Sequence, residues 1–349
     1  MKSYQFAEHG GPIAAAETPT PEPAGTQVLV KVGACGVCHS DVHLWEGYFD
    51  LGGGKKLDTT RGQQTPFTLG HEIVGEVVAV GPDATGVSVG DRRVVYPWIG
   101  CGECPVCARG EEQLCARSAA IGVNVDGGYA DHVLVSDPKY LFDYGEVPAE
   151  LACTYACSGL TAYGAVKKVA GHAKGGHLLI VGAGGVGLAG VMIAQAITQA
   201  EIIVADIDEA KLTAAREAGA DHVIDSREAD AFKQILKMTG GGVAAAIDFV
   251  GNEPSSRLTV GALAKGGIAV FVGLMGGLLQ VPLPMMPLKA MTLAGSYTGT
   301  PAEMGELMAL ARAGKVKPIP VAPRPLDQVG ATIEELRDGK IVGRVVVRP

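Results

Sequence analysis

The sequence predicts an α/β chain: an irregular, mostly antiparallel β-rich domain followed by a doubly wound parallel sheet. Three observations carry that expectation. The first 150 residues are rich in Val, Gly and Pro and hold short β-like runs. From about residue 151, six short apolar runs alternate with stretches of helical spacing, the pattern of a sheet covered by helices on both faces. The first of those runs leads directly into Gly182-Ala183-Gly184-Gly185-Val186-Gly187.

In the first part, Val28–Val32, Glu76–Val80 and Arg93–Tyr96 read as strands, parted by turns at Gly81-Pro82-Asp83 and Gly90-Asp91. In the second, the predicted strands are His177–Gly182, Glu201–Asp206, His222–Asp225, Ala245–Val250, Ile268–Gly273 and Thr292–Tyr297. The helices between them are Gly187–Gln199, Glu209–Ala218, Glu228–Thr239 and Pro254–Leu263. The tail adds a helix near Ala302–Ala313, a Pro-rich strand, a helix near Leu326–Asp338 and a last strand Gly343–Arg348.

Composition narrows the function classes. Of 349 residues, 47% are hydrophobic and 19% charged, so core-forming side chains are plentiful and disorder is not expected. Fifty glycines, against a usual share near ~7%, imply many tight turns and places of close backbone approach. The formal charge of −8, with no Lys/Arg cluster longer than two, lacks the basic face that nucleic-acid binding requires. The uncharged stretch 178–197 has the length of a membrane span, but glycines at 182, 184, 185, 187 and 190 make it strand, turn and helix instead. No membrane association is expected. MKSYQFAEHGG has no secretory character, and a cytoplasmic location is expected.

The glycine run fits G-x-G-x-x-G in its proper setting, and Asp206 ends the next strand nineteen residues after Gly187. Gly182, Gly184, Gly185, Val186 and Gly187 let a pyrophosphate reach backbone N–H groups at a helix N-terminus. Asp206 is placed to accept from the ribose hydroxyls and to repel a 2′-phosphate. Ile207 rather than Arg follows it, so NAD is expected over NADP.

Cysteine supplies two further constellations. Cys101, Cys104, Cys107 and Cys115 fall within fifteen residues, a set suited to one closed, structural zinc. The iron–sulfur alternative needs a fourth cysteine three residues on and then Pro; here the gap is seven and Ala116 follows. Cys38, His71 with Glu72, and Cys157 are dispersed instead, as befits a catalytic zinc with three protein ligands and an open position. Cys35 and Cys153 read as small buried hydrophobes.

In order along the chain, Cys38-His39-Ser40-Asp41-Val42-His43, Gly70-His71-Glu72-Ile73-Val74-Gly75-Glu76-Val77, the four-cysteine lobe, Cys157 and Gly182–Gly187 resemble the zinc-dependent medium-chain alcohol dehydrogenases. The likeness covers nearly the whole chain. It implies a GroES-like catalytic domain of residues 1–150 completed by 290–349, and a Rossmann NAD-binding domain of residues 151–289. It also implies NAD(P)-linked hydride transfer between a primary or secondary alcohol and its carbonyl, NAD being the choice that Asp206 favours, with two zinc ions per subunit. Cys38, His71 and Cys157 match the catalytic zinc ligands, and Glu72 the carboxylate that visits the metal during ligand exchange. Ser40 and His43 match the proton path, and Asp41 a residue orienting the ligand histidine. Thr161, Val250, Val272 and Leu274 match segments around the nicotinamide and adenosine, Lys211 a ribose contact, Arg344 a pyrophosphate contact and Trp45 a pocket wall.

A polyol dehydrogenase of the same superfamily, or a non-catalytic crystallin-like relative, are the alternatives. The complete cysteine set and Cys157 argue against the first, and the intact ligands Cys38, His71 and Cys157 against the second. The expected partners are a small-molecule alcohol, aldehyde or ketone, and further copies of the chain. A homo-tetramer is expected, the apolar run Ile268–Leu283 with a strand edge being the feature behind it. The stretch Phe49–Gln64 between the first two ligands is longer than the resemblance leads one to expect, has no apolar periodicity, and reads as a loop acting as a lid.

Overall fold

A computed structural model describes residues 1–349, the side-chain surroundings of Gly62 apart. Two sheets organise it. The larger has seven strands, in the order Val321–Pro325, Arg344–Arg348, Val28–Gly36, Glu72–Val80, Arg92–Val95 and Leu141–Phe142, with His132–Val135 also paired to Val28–Gly36. Its pairings are antiparallel except where the two tail strands run side by side. The tail is thus part of the first sheet: Val347 pairs with Cys35 and Val346 with Gly36, beside the strand that leads to Cys38.

The second sheet is wholly parallel, with strands His222–Asp225, Glu201–Asp206, His177–Val181, Val243–Asp248, Leu263–Phe271 and Thr292–Gly295 in spatial order. In chain order this is 3-2-1-4-5-6, the doubly wound arrangement. Its switch point lies between His177–Val181 and Val243–Asp248, where such sheets take a dinucleotide. Leu178, Leu179, Ile180, Ile203, Val204 and Ile247 are fully or almost fully buried, because helices cover both faces. Ile268–Phe271, expected at an edge, lies inside this sheet; the edge strand is Thr292–Gly295. Among the described residues no helix is long and apolar enough to cross a membrane.

The chain passes from the first sheet to the second through Ala149–Thr154 and Leu160–Ala173, interrupted at Tyr155–Gly159 by a π-helical turn, and returns through Pro301–Arg312. A π turn inserts an extra residue and re-aims the side chains around it, and such turns gather at functional sites. This one carries Cys157.

Residues Phe49–Gln64 are not a structureless loop. Tyr48–Gly52 and Lys55–Asp58 form an antiparallel hairpin, and a single 3₁₀ turn, Thr60–Gly62, follows. Gly53 and Gly54, at φ +61° and +76°, make a two-residue turn that only left-handed backbone closes.

Candidate active site and metal centres

Three elements bring three ligands to one point. Cys38 stands at the start of the helix His39–Glu46, just past the strand Val28–Gly36. His71 precedes the strand Glu72–Val80, and Cys157 sits in the π turn. One ligand atom from each lies within 4.8 Å of the others, and all three side chains are buried. Asp41 sets the imidazole: its Oδ1 accepts from His71 Nδ1 at 3.1 Å, so Nε2 keeps the lone pair. That Nε2 is buried without a hydrogen-bond partner, and buried polar atoms are rarely left so. The Cys38 thiol is held well below the ordinary thiol range, first by the hydrogen bond from Cys157 and then by His71 and Arg344. An orphaned imidazole nitrogen facing two sulfurs, one inclined to ionise, fits a zinc ion with an open position.

Glu72 lies beside this set but is fully engaged. Its Oε1 accepts from the Ser158 backbone N–H at 2.9 Å and its Oε2 pairs with the Arg344 guanidinium. Its visit to the metal, expected from the resemblance, therefore requires releasing the Ser158 N–H or the Arg344 guanidinium. Burial raises the Glu72 carboxyl, and Arg344 pulls it back.

The four cysteines of the lobe form a second cluster, again with sulfurs within 4.8 Å of one another. Cys104 caps the short helix Pro105–Ala108 and accepts from Cys107 N–H at 3.5 Å, and Cys115 accepts from Cys101 N–H at 3.4 Å. Backbone donors turned toward sulfur favour the thiolate, and Cys101 is lowered to about 6, chiefly by the Glu103 N–H. All four positions are protein sulfur, so a closed tetrahedral zinc fits.

The glycine turn follows His177–Val181. Gly182 has φ +93°, and a Cβ on Gly187 would lie 1.8 Å from the Gly182 carbonyl, so no larger residue lets the helix Gly185–Ile197 start there. A Cβ on Gly184 would meet nothing within 4 Å: this side of the turn is an open cradle for a dinucleotide. Asp206 Oδ2 accepts from Ala183 N–H at 2.6 Å and Oδ1 from Ile207 N–H at 2.7 Å, which aims the carboxylate at the turn. Arg344 reaches the same place from the tail: a Cβ on Gly185 would strike its Cδ at 2.2 Å, and its Nε is buried and unpartnered. Val250 packs over Gly182, and its carbonyl accepts from Met275 N–H at 3.2 Å. Val272 is half-buried and Leu274 exposed at the carboxyl ends of the parallel strands, while Lys211 and Thr161 are half-buried.

These local geometries coincide with what is found along the whole chain. Residues 24–145 match the family model described as the alcohol dehydrogenase GroES-like domain, and 185–313 the one described as zinc-binding dehydrogenase. An NAD-dependent alcohol dehydrogenase of Sulfurisphaera tokodaii is 40% identical over all of both chains. The chain belongs to the zinc-type medium-chain alcohol dehydrogenases. Another relative of this dehydrogenase, the NAD-dependent alcohol dehydrogenase of Saccharolobus solfataricus, is also 40% identical over the full length of both. The crystal structure of the alcohol dehydrogenase of Aeropyrum pernix superposes with a TM-score of 0.90, at 32% identity over both full chains.

The aromatic surroundings of the dehydrogenase's site differ from the expectation. Trp45 is buried, donates its indole N–H to the Gly11 carbonyl at 2.7 Å and lies 5.7 Å under the Arg337 guanidinium. It is a core side chain between the N-terminal segment and the last helix. The residues beside the ligand set are others: Trp98 packs 5.5 Å from the His71 ring, Tyr297 stands edge-on to Trp98 at 5.7 Å, and Phe49 packs 4.9 Å from His43. Sequence reasoning missed Trp98 and Tyr297, although Trp98, three residues before Cys101, was the one other tryptophan available.

Ser40 is half-buried in the first turn of its helix. His43 is buried beside His39, with its Nε2 unpartnered. Burial, followed by the charge of His39, pushes His43 down to about 4. An unfolded imidazole titrates near ~6.5, so the folded state takes up this proton later than the unfolded one as pH falls. The stability contributed by the neutral ring is complete above that value and is lost as pH drops toward 4. Between about pH 7 and pH 4.5, the wild-type melting temperature should fall more steeply than that of His43→Gln. Parallel curves would show that His43 is not held neutral.

Proposed function

We propose that Cys38, His71 and Cys157 hold the catalytic zinc of an NAD-dependent alcohol dehydrogenase, and that Cys101, Cys104, Cys107 and Cys115 hold a structural one. The unpartnered Nε2 of His71, facing two buried thiols, carries the reading. When bound, zinc supplies Lewis acidity to the alcohol oxygen and NAD accepts the hydride from the carbinol carbon. The chain's own residues do the rest. Asp41 fixes the His71 tautomer, and its second oxygen accepts from Cys38 N–H at 2.9 Å and Tyr129 O–H at 2.8 Å, so both ligand-bearing segments share one anchor. Trp98 and Tyr297 give one side of the site an aromatic face, which favours substrates with an apolar body. Ser40 accepts the hydroxyl proton, and His43, neutral near pH 7, is ready to take it onward. Gly182–Gly187 and Arg344 hold the pyrophosphate, Asp206 and Lys211 the adenosine ribose, and Thr161, Val250, Val272 and Leu274 flank the nicotinamide and adenosine. Substrates are small alcohols and their aldehydes or ketones, turned over in the cytoplasm. Catalysis is assigned to residues 1–150 with 290–349, and NAD binding to 151–289.

The active form is proposed to be a homo-tetramer. The edge strand Thr292–Gly295 ends the parallel sheet with unpaired backbone, and in the segment 274–288 that precedes it Leu274, Met275, Leu278, Leu279, Leu283 and Leu288 are exposed. Monomers seldom leave such a patch uncovered.

Asp206→Ala should raise the NAD dissociation constant and relax discrimination against NADP. Hydrogen bonds to a charged group contribute about 1.5–3 kcal/mol each, so a loss of roughly tenfold or more in kcat/KM with NAD is expected. A wild type that prefers NADP would overturn the assignment.

The two metals should separate by mutation. Cys157→Ala should fold, bind NADH and lack alcohol oxidation, with one zinc left per subunit. Cys107→Ala should lose thermal stability, because metal-binding energy in the lobe is folding energy. Equal inactivation of both variants with unchanged melting temperatures would refute the division.

Light scattering at micromolar protein should return the mass of four subunits; a monomeric mass would refute the assembly.

A further inference from the structure

The hairpin Tyr48–Asp58 touches both domains, and the two contacts are of different kinds. Near its base, Phe49 packs 4.9 Å from His43, the imidazole that the reading above puts on the proton path. Near its tip it meets the coenzyme-binding domain through glycine backbone. A Cβ on Gly52 would lie 2.7 Å from the carbonyl carbon of Gly277, and one on Gly276 would lie 2.6 Å from both Cβ and the carbonyl oxygen of Asp50. Real Cβ atoms do not approach so closely, so this seat exists only because Gly52 and Gly276 carry no side chain. The Gly276 segment is in turn fastened to the carboxyl ends of the parallel strands. Gly276 N–H donates to the Gly251 carbonyl at 3.0 Å, and Met275 N–H to the Val250 carbonyl at 3.2 Å. The Asp50 Oδ1 accepts from Gly52 N–H at 2.7 Å and holds the bend that presents Gly52 to Gly277. The tip is therefore seated on a segment fastened to the carboxyl ends of the parallel strands, the end at which such sheets take a dinucleotide, while the base packs on His43.

We propose that the Gly52–Gly277 seat holds Phe49 against His43 and thereby sets the size of alcohol that the site accepts. The inference rests on the alcohol dehydrogenase reading above and adds to it a specificity-determining element. With the seat intact, Phe49 is a fixed wall, and compact alcohols are favoured over bulky secondary ones. With the tip lifted, the strand that carries Phe49 loses its far support and the wall yields. Phe49 is the wall, Gly52 and Asp50 are positioning residues that act through it, and none of the three is assigned a step in proton or hydride transfer.

The chain contains its own control. Gly52 and Gly54 both have φ +76°, so an alanine suffers the same left-handed strain at either position. A Cβ at Gly54, however, meets nothing within 4 Å. The readout is the ratio of kcat/KM for 1-phenylethanol to that for ethanol, with NAD saturating and zinc content measured on each preparation. Gly52→Ala should raise this ratio about fivefold or more, in the direction of Phe49→Ala, whereas Gly54→Ala should stay within about twofold of wild type. Asp50→Ala, at an exposed position that does not endanger folding, should shift the ratio the same way and keeps the test open if Gly52→Ala does not fold. Equal ratios for Gly52→Ala and Gly54→Ala overturn the proposal. So does an unchanged ratio in Phe49→Ala, or in Asp50→Ala where Gly52→Ala cannot be purified. A wild type that oxidises neither alcohol with NAD sinks the underlying reading instead, which keeps the two failures apart.

Discussion

One buried carboxylate fixes the catalytic half of the molecule. Asp41 is fully buried and accepts from four donors: Cys38 N–H at 2.9 Å, His71 Nδ1 at 3.1 Å, Gly70 N–H at 3.3 Å and Tyr129 O–H at 2.8 Å. A carboxylate without water needs such a shell, because each missing donor would leave a desolvated charge uncompensated. The shell in turn dictates the path of the backbone. Gly70 has φ +98°, and a Cβ there would stand 2.7 Å from the Tyr129 ring. Gly122 and Gly127 pack so tightly on the Gly70 carbonyl that a Cβ on either would fall 2.4 and 2.3 Å from it. The three-glycine crossing is what lets His71 turn back toward Asp41 while staying in register with the strand that follows.

A second buried charge pair ties this half to the other. Arg344 comes from the last strand, 272 residues after Glu72, yet the two side chains meet with almost no solvent between them. Buried ion pairs cost desolvation that their attraction only partly returns, so the pair is weak evidence for stability. Its value is positional. The Cγ and Cδ methylenes of Arg344 lie against Gly185 in the glycine turn, while its guanidinium head holds the Glu72 carboxylate next to Cys157. The same side chain therefore spans from the metal ligands to the dinucleotide cradle. Any anion that draws Arg344 toward the cradle weakens its hold on Glu72, which gives cofactor and metal a shared element.

What was legible in the sequence was local, and what was hidden depended on distant packing. The four cysteines of the lobe and the Gly182–Gly187 run are read from spacing alone, because their function needs consecutive backbone geometry. The inner parallel strands were legible for a related reason: His177–Val181, Glu201–Asp206 and Val243–Asp248 are apolar on both faces along most of their length and bounded by turns. Arg344 and Glu72 share no spacing, and only the pairing of the tail strand with Val28–Gly36 brings them together. The tryptophans show the same limit. Trp45 and Trp98 are both aromatic residues near a zinc ligand in sequence, but which one turns toward His71 is decided by tertiary packing. The hairpin had a readable signal, the pair Gly53-Gly54 between two short runs. Its strands carry Asp50, Lys55 and Lys56 on a nearly solvated ribbon, so no apolar alternation marked them.

The lobe and the catalytic site also have a physical link, through Trp98. Only Ile99 and Gly100 separate that ring from Cys101, and Gly100 N–H donates to Glu112 Oε2 at 3.2 Å. Glu112 is half of a brace: it accepts from Tyr140 O–H at 2.5 Å and from Lys139 at 3.0 Å, which fastens the lobe to the seven-stranded sheet. A lobe closed around its four sulfurs thus holds Gly100, and through it the ring that packs on His71. The lobe has almost no apolar core of its own, since Leu114 is exposed and only Cys107, Glu112 and Cys115 are buried within it. Its order must come from the sulfur cluster and from Glu112. The closed cluster is therefore structural in a specific sense: it determines where Trp98 stands, and with it one wall of the pocket some distance from its own sulfurs.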